Sequence, residues 1–171
     1  MKLTQATAAD IPAVCEFYRR VIAAMLAGGL DMWHWGEYPS EEILTRDIRK
    51  GDLYLYREEG RVLACVAVNQ EAEDDYAGLP WQEEGKVGLF HRLAVTPECQ
   101  GRHLAEGVME GVMEGVKDVL RAQGCTVLRG DVYGGNPRAL RLYQRIGMNF
   151  IGAFRQEWGW AHAFHAMEMR L

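Results

Sequence analysis

The residues with the clearest chemical potential lie between Val95 and Ala105, in the run Val-Thr-Pro-Glu-Cys-Gln-Gly-Arg-His-Leu-Ala. An apolar segment, Val87 to Val95, precedes it and reads as a buried strand. A segment with helical periodicity, Leu104 to Gln123, follows it. A strand, a short polar loop and a helix start together make an anion site. The first backbone N–H groups of a helix have no partner inside the helix, and the helix dipole favours negative charge there. Gly101 lets the backbone approach a ligand closely, and Arg102 and His103 add positive charge. Taken alone, the same run also reads as an ordinary strand-to-helix turn. A second stretch, Gly134-Gly135-Asn136-Pro137-Arg138-Ala139-Leu140-Arg141-Leu142-Tyr143, starts another helix, with Asn136 as N-cap and Pro137 at the first helical position.

Other reactive side chains are scattered. Along Val87–Val95 two sets alternate, with Leu89, His91, Leu93 and Val95 on one face and Phe90, Arg92 and Ala94 on the other. His91 is therefore half-buried or faces a pocket; its ordinary pKa suits proton transfer near neutrality, although a hydrogen-bonded structural histidine is the commoner outcome. Trp33, Trp35 and Tyr38 crowd Leu30 to Pro39, a segment without regular period. They either pin that loop to the core or wall a pocket with apolar faces and polar tips. The cysteines Cys15, Cys65, Cys99 and Cys125 form no C-x-x-C pair. Metal-ligand spacing is absent, and buried thiols in a reducing cytoplasm are the simplest reading. Cys99 sits in the polar loop, but no motif places a histidine beside it.

These groups need elements to hold them. Lys2 to Thr7 reads as a short strand. Asp10 is the expected cap of a helix running to about Ala27, with Ile11, Val14, Cys15, Tyr18, Val21, Ile22 and Met25 as its buried stripe. Ser40 caps a second helix, buried through Ile43, Leu44 and Ile48 and closed by Gly51. Leu53–Arg57 and Val62–Asn69 form a hairpin across Glu58-Glu59-Gly60. Gln70 to Gly85 reads as an acidic surface loop in which Trp81 has no assigned role. In the long helix, Gly107, Gly111 and Gly115 stack along one border. Each costs roughly 1 kcal/mol against alanine in a helix interior, so a close packing approach must compensate. Thr126–Val132, Asn149–Arg155 and Ala163–Arg170 complete the strands. The order β-α-α-β-β-β-α-β-α-β-β predicts an α/β fold, one mixed sheet with helices on both faces.

Composition narrows the function classes. A chain of 171 residues with 49% hydrophobic and 25% charged residues fits one globular domain. The net charge of −5 argues against a nucleic-acid binder working through general basicity. Met1 to Asp10 lacks the basic start and apolar core of a secretory signal. Val21 to Leu30 is too short to span a bilayer, so no membrane partner is expected. No G-x-G-x-x-G follows the first strand, which disfavours a dinucleotide-binding oxidoreductase.

The chain resembles the GNAT acetyltransferase superfamily over nearly its whole length. The resemblance is carried by His91-Arg92-Leu93-Ala94-Val95-Thr96-Pro97, then Gln100-Gly101-Arg102-His103-Leu104-Ala105, then Asn136-Pro137-Arg138-Ala139 with Tyr143 and Gly147-Met148. The family pattern in the middle piece is Gln or Arg, x, x, Gly, x, Gly or Ala. Gln100 and Ala105 match it, and His103 stands where glycine is usual. The resemblance implies one domain over residues 1–171, with about seven mostly antiparallel strands and about four helices, and acetyl-CoA as co-substrate between the splayed strands Val87–Val95 and Thr126–Val132. It implies that the pantetheine arm pairs with Leu93, Ala94 and Val95, and that the pyrophosphate lies on Gln100 to Ala105. Asn136 then bonds the pantetheine region and Val95 N–H stabilises the oxyanion. Tyr143 becomes the general acid toward the leaving thiolate; periodicity alone reads it as a core tyrosine. His91 is the first candidate for the base, with Glu37, Glu157, His162 and a water chain as alternatives. Trp33, Trp35 and Tyr38 then wall the site of a small-molecule or peptide amine, and no metal is implied. Homodimers are common in the superfamily. A non-catalytic acyl-CoA sensor is the alternative, and a purely structural protein is a third.

Overall fold

The computed structural model describes residues 2–71, 74–99, 103–156 and 161–171, and of 103–106 the backbone. Seven strands and four helices follow in the order β1 (Leu3–Gln5), α1 (Ile11–Ala27), α2 (Glu41–Lys50), β2 (Leu53–Glu58), β3 (Arg61–Asn69), β4 (Val87–Val95), α3 (His103–Ala122), β5 (Val127–Tyr133), α4 (Pro137–Arg145), β6 (Asn149–Phe154) and β7 (Phe164–Arg170). The expected order of elements is the observed one. The hydrogen-bonded strand order is β1-β2-β3-β4-β5-β7-β6. The β1/β2, β2/β3, β5/β7 and β6/β7 pairs are antiparallel, and β4/β5 is parallel.

Two compact units divide the chain, Met1–Val68 with Arg92–Val116 and Asn69–His91 with Lys117–Leu171. In the first, α1 buries Val14, Cys15, Phe17, Tyr18, Val21 and Ile22. Ser40 caps α2 by accepting the Ile43 N–H at 3.3 Å, and Gly51 ends it in the left-handed conformation, φ 79°. A two-residue turn, Glu59-Gly60, joins β2 to β3. Both residues have positive φ, which matches the twist of the flanking strands. Gly111 and Gly115 explain two of the three helix glycines. An added Cβ would meet the Tyr56 hydroxyl at 2.3 Å and the Leu3 Cβ at 2.7 Å, so α3 lies close on β2 and β1 at these points. A Cβ on Gly107 meets nothing within 4 Å. The cap expected of Asp10 is replaced by a different arrangement. Its carboxylate accepts from the Thr7 N–H at 2.8 Å and from Arg57 at 2.5 Å, and it makes no cap bond to α1.

In the second unit β5, β7 and β6 form a continuous antiparallel ladder. The register of β4 with β5 runs from Val87↔Val127 to Leu89↔Arg129 among the described residues, although β5 continues to Tyr133. The acidic loop is more firmly held than its composition suggests. Glu168, 1% exposed, accepts the Gln82 and Glu83 N–H groups at 2.8 and 2.9 Å and pairs with Arg129 at 2.7 Å. Trp81, without a role in the sequence, donates to the Tyr76 carbonyl at 3.1 Å and lies under the Arg129 guanidinium. All four cysteines are buried and free. No helix is long and apolar enough to cross a membrane among the described residues.

Candidate active site

In the first unit the central feature is a break in β4. Arg92 has φ 51°, a left-handed conformation that side chains rarely adopt. The strict alternation expected along Val87–Val95 therefore fails at Arg92, and Phe90 to Arg92 are all buried. Arg92 is 8% exposed and its Nη2 meets the Asp47 carboxylate, 2% exposed, at 2.5 Å. Its Nη1 donates to the Tyr38 hydroxyl at 3.1 Å. The Tyr18 hydroxyl donates to the Arg92 carbonyl at 2.6 Å. Burial works against the guanidinium charge, but Tyr38 and Asp47 outweigh it and hold the pKa above the ordinary arginine value.

Beyond the break, Leu93 and Val95 are half-buried and Ala94 is buried. Thr96 N–H donates to the Leu63 carbonyl at 2.8 Å, and Glu98 takes both the Thr96 hydroxyl and Arg20 of α1. The strand end and the turn after it are thus anchored. Gln100, Gly101 and Arg102 lie outside the described residues. His103 opens α3, and His103, Leu104 and Ala105 all have helical backbone. The histidine that replaces glycine therefore keeps the negative φ that an N–H donor at a helix start requires.

The aromatic segment before α2 belongs to the same unit. Trp33 is buried, its ring 6.0 Å from Tyr18 and 6.3 Å from Tyr38. Trp35 is half-buried under the Arg19 guanidinium at 4.5 Å. Tyr38 is half-buried with its hydroxyl on Arg92. Trp33 thus pins the segment, while Trp35 and Tyr38 retain surface.

The second unit holds the titratable candidates. Asn136 caps α4, its Oδ1 accepting the Ala139 N–H at 3.1 Å, and Pro137 follows at the helix start. That helix places Tyr143 in the interior, 6% exposed, with its ring edge-on to Phe90 at 5.3 Å. Gly130 of β5 makes room for this pair, since an added Cβ would stand 2.4 Å from the Phe90 ring. Burial, and then the Asp131 charge, push the Tyr143 phenol above its ordinary value. Asp131 accepts the Tyr76 hydroxyl at 2.6 Å. His91, 9% exposed, has a ring nitrogen 3.3 Å from Asn69 Oδ1, the partnered state anticipated for a structural histidine. Of the alternative bases, Glu37 and His162 are exposed, and Glu157 lies outside the described residues.

A family model described as the acetyltransferase (GNAT) family matches residues 14–148. The chain belongs to this family. The fold of this GNAT protein is shared with an acetyltransferase of the family from Streptococcus agalactiae at 20% identity, covering 99% of this chain and 95% of that one, with a TM-score of 0.81. It is shared with the ribosomal-protein-S18-alanine N-acetyltransferase of Escherichia coli at 16% identity, 99% and 92% coverage and a TM-score of 0.65. It is also shared with a Salmonella typhimurium protein solved with its cofactor acetyl-CoA, at 15% identity, 100% and 94% coverage and a TM-score of 0.66. A search of curated proteins finds no significant match.

Sequence reasoning missed three residues of this GNAT chain. Asp47 falls between the apolar Leu44 and Ile48 of α2, and an acid on a buried stripe signals a buried cation. Gly130 interrupts an otherwise bulky strand, a mark of close approach. Arg92 carries no such signal, because a left-handed arginine in a strand is imposed by tertiary partners.

Proposed function

We propose that the chain is an N-acetyltransferase that moves an acetyl group from acetyl-CoA to a primary amine, a small molecule or a peptide N-terminus, with residues 1–171 acting as one catalytic domain. The observation that carries this reading is Tyr143, a buried phenol with a raised pKa on the helix capped by Asn136, in a chain of the GNAT family. The neighbour solved with acetyl-CoA and the neighbour acting on a protein alanine support the coenzyme and the acceptor class.

The residues present suit the coenzyme. Leu93, Ala94 and Val95 supply a strand end with half-buried positions, and His103, Leu104 and Ala105 supply helix-start N–H groups for a pyrophosphate. Gln100, Gly101 and Arg102 extend this assignment, and Asn136 Nδ2 is assigned to the pantetheine amides. Acetyl-CoA, when bound, supplies an acyl thioester. The amine nitrogen bonds to the acyl carbon and the carbon–sulfur bond breaks. Tyr143 O–H gives its proton to the leaving sulfur and is reprotonated from solvent. The amine proton leaves to His91 or to water. Trp35 and Tyr38, held by Trp33, face the acceptor. A phenol pushed above about 10 is protonated at every physiological pH, so the donor is always charged with its proton.

Calorimetric titration with acetyl-CoA and with free CoA, followed by thiol release with a panel of primary amines, tests the reading. Saturable one-site binding with amine-dependent thiol release is expected. Binding without transfer to any amine would favour an acyl-CoA sensor, and no binding would overturn both.

A further inference from the structure

The conformation of Arg92 carries two costs. A left-handed non-glycine residue within a strand is strained, and the buried Nε of the same side chain has no hydrogen-bond partner among the described residues. An apolar residue in extended conformation would carry neither cost. The surroundings nonetheless hold the residue from three directions. Asp47 fixes Nη2 from α2, Tyr38 fixes Nη1 from the aromatic segment, and Tyr18 fixes the carbonyl from α1. The residue fixed in this way is followed at once by Leu93, Ala94 and Val95.

We propose that Asp47, Tyr18 and Tyr38 are positioning residues that act through Arg92 to set the path of β4 over Leu93–Val95 and so tune acyl-CoA affinity. The left-handed turn at Arg92 rotates the backbone that follows it, and the network keeps that rotation from relaxing to a regular strand. Arg92 also ties the coenzyme strand end to Tyr38 in the aromatic segment. Tyr18 and Asp47 are buried and act without touching a ligand. The part concerning affinity rests on the acetyl-CoA reading above; the part concerning the backbone does not.

The test uses the full chain with Tyr18→Phe and Tyr38→Phe, which keep the rings and delete single hydroxyls. Gly115→Ala serves as a variant that disturbs the same unit at α3 and β1. Amide hydrogen exchange is followed at Leu93–Val95 and in β2, and acetyl-CoA affinity is measured by calorimetry. Loss of one buried hydrogen bond predicts about tenfold faster exchange at Leu93–Val95 in Tyr18→Phe, with β2 unchanged, and an acetyl-CoA Kd raised about tenfold. Tyr38→Phe shifts both in the same direction by a smaller factor. Gly115→Ala lowers stability without the local change. Exchange at Leu93–Val95 within twofold of wild type in both hydroxyl variants would overturn the proposal. So would a rise spread evenly over the unit and reproduced by Gly115→Ala. Failure of the wild type to bind acetyl-CoA would remove the function reading, and the exchange data would still decide whether the network sets the strand.

Discussion

Tyr18 and Tyr143 are both buried tyrosines whose pKa is raised by burial, and they do opposite things with their hydroxyls. Tyr18 donates to the Arg92 carbonyl at 2.6 Å, inside a charged network. Tyr143 is packed by its ring edge against Phe90, and no hydrogen bond joins its hydroxyl to any described residue. One hydroxyl is committed to holding backbone in place. The other belongs to a ring buried against Phe90, where burial and then the Asp131 charge raise its pKa. Burial is common to both tyrosines, and they differ in what the oxygen meets.

Removing each hydroxyl should separate the two roles most sharply. Tyr143→Phe is expected to lower kcat by about 100-fold to 10,000-fold, the usual range for a lost general acid, with acetyl-CoA affinity and melting temperature little changed. Steady-state thiol release and calorimetry check this. A pH–rate profile should show no limb from Tyr143 below about pH 10, so a limb near neutrality that disappears in His91→Ala would identify the base.

On the structural side, Asp47→Ala leaves the Arg92 charge buried without its carboxylate. It should cost about 3–5 kcal/mol in denaturant unfolding, a larger loss of stability than in Tyr143→Phe. The α3 glycines sharpen the same contrast between crowded and open surroundings. Gly115→Ala meets the Leu3 Cβ and should cost about 1–3 kcal/mol. Gly107→Ala meets open space and should stabilise by about 0.5–1 kcal/mol.

The smallest effect concerns Asp10. The Thr7 N–H, with Arg57, holds its carboxyl below the ordinary value of 3.8. A depressed folded pKa contributes stability that is fully present above the unfolded value and is lost as pH falls through the folded one. Asp10→Asn should therefore flatten the stability curve below about pH 4 and leave its slope at neutral pH unchanged.

Local chemistry was legible in the sequence. The α1 stripe, the Ser40 and Asn136 caps, Gly51 and the Glu59-Gly60 turn each follow from a short run of residues with its own physical preference. The helix start at Asn136-Pro137 was legible for the same reason, as a contiguous motif, whereas Gln100 to Arg102 of the expected anion loop lie outside the described residues. The network around Arg92 was not. Tyr18 is 74 residues from Arg92 and Asp47 is 45 residues from it, and no local propensity predicts a left-handed arginine in a strand. Tyr76 on Asp131 and Glu168 under the acidic loop were hidden in the same way, since a loop rich in acids reads as solvated until its long-range partners are known. Asp10 went the other way: a good cap residue by type was drawn off by Thr7 and Arg57.

The most direct measurement is thiol release over a range of acetyl-CoA concentrations with a reactive primary amine held saturating, compared among wild type, Tyr18→Phe and Tyr143→Phe. The account predicts that Tyr18→Phe raises the acetyl-CoA KM about tenfold and lowers kcat far less than Tyr143→Phe does. Tyr143→Phe should keep KM and lose kcat by at least about 100-fold. A Tyr143→Phe enzyme that turns over at the wild-type rate would contradict the account, because the phenol set apart by its surroundings would then have no part in the chemistry.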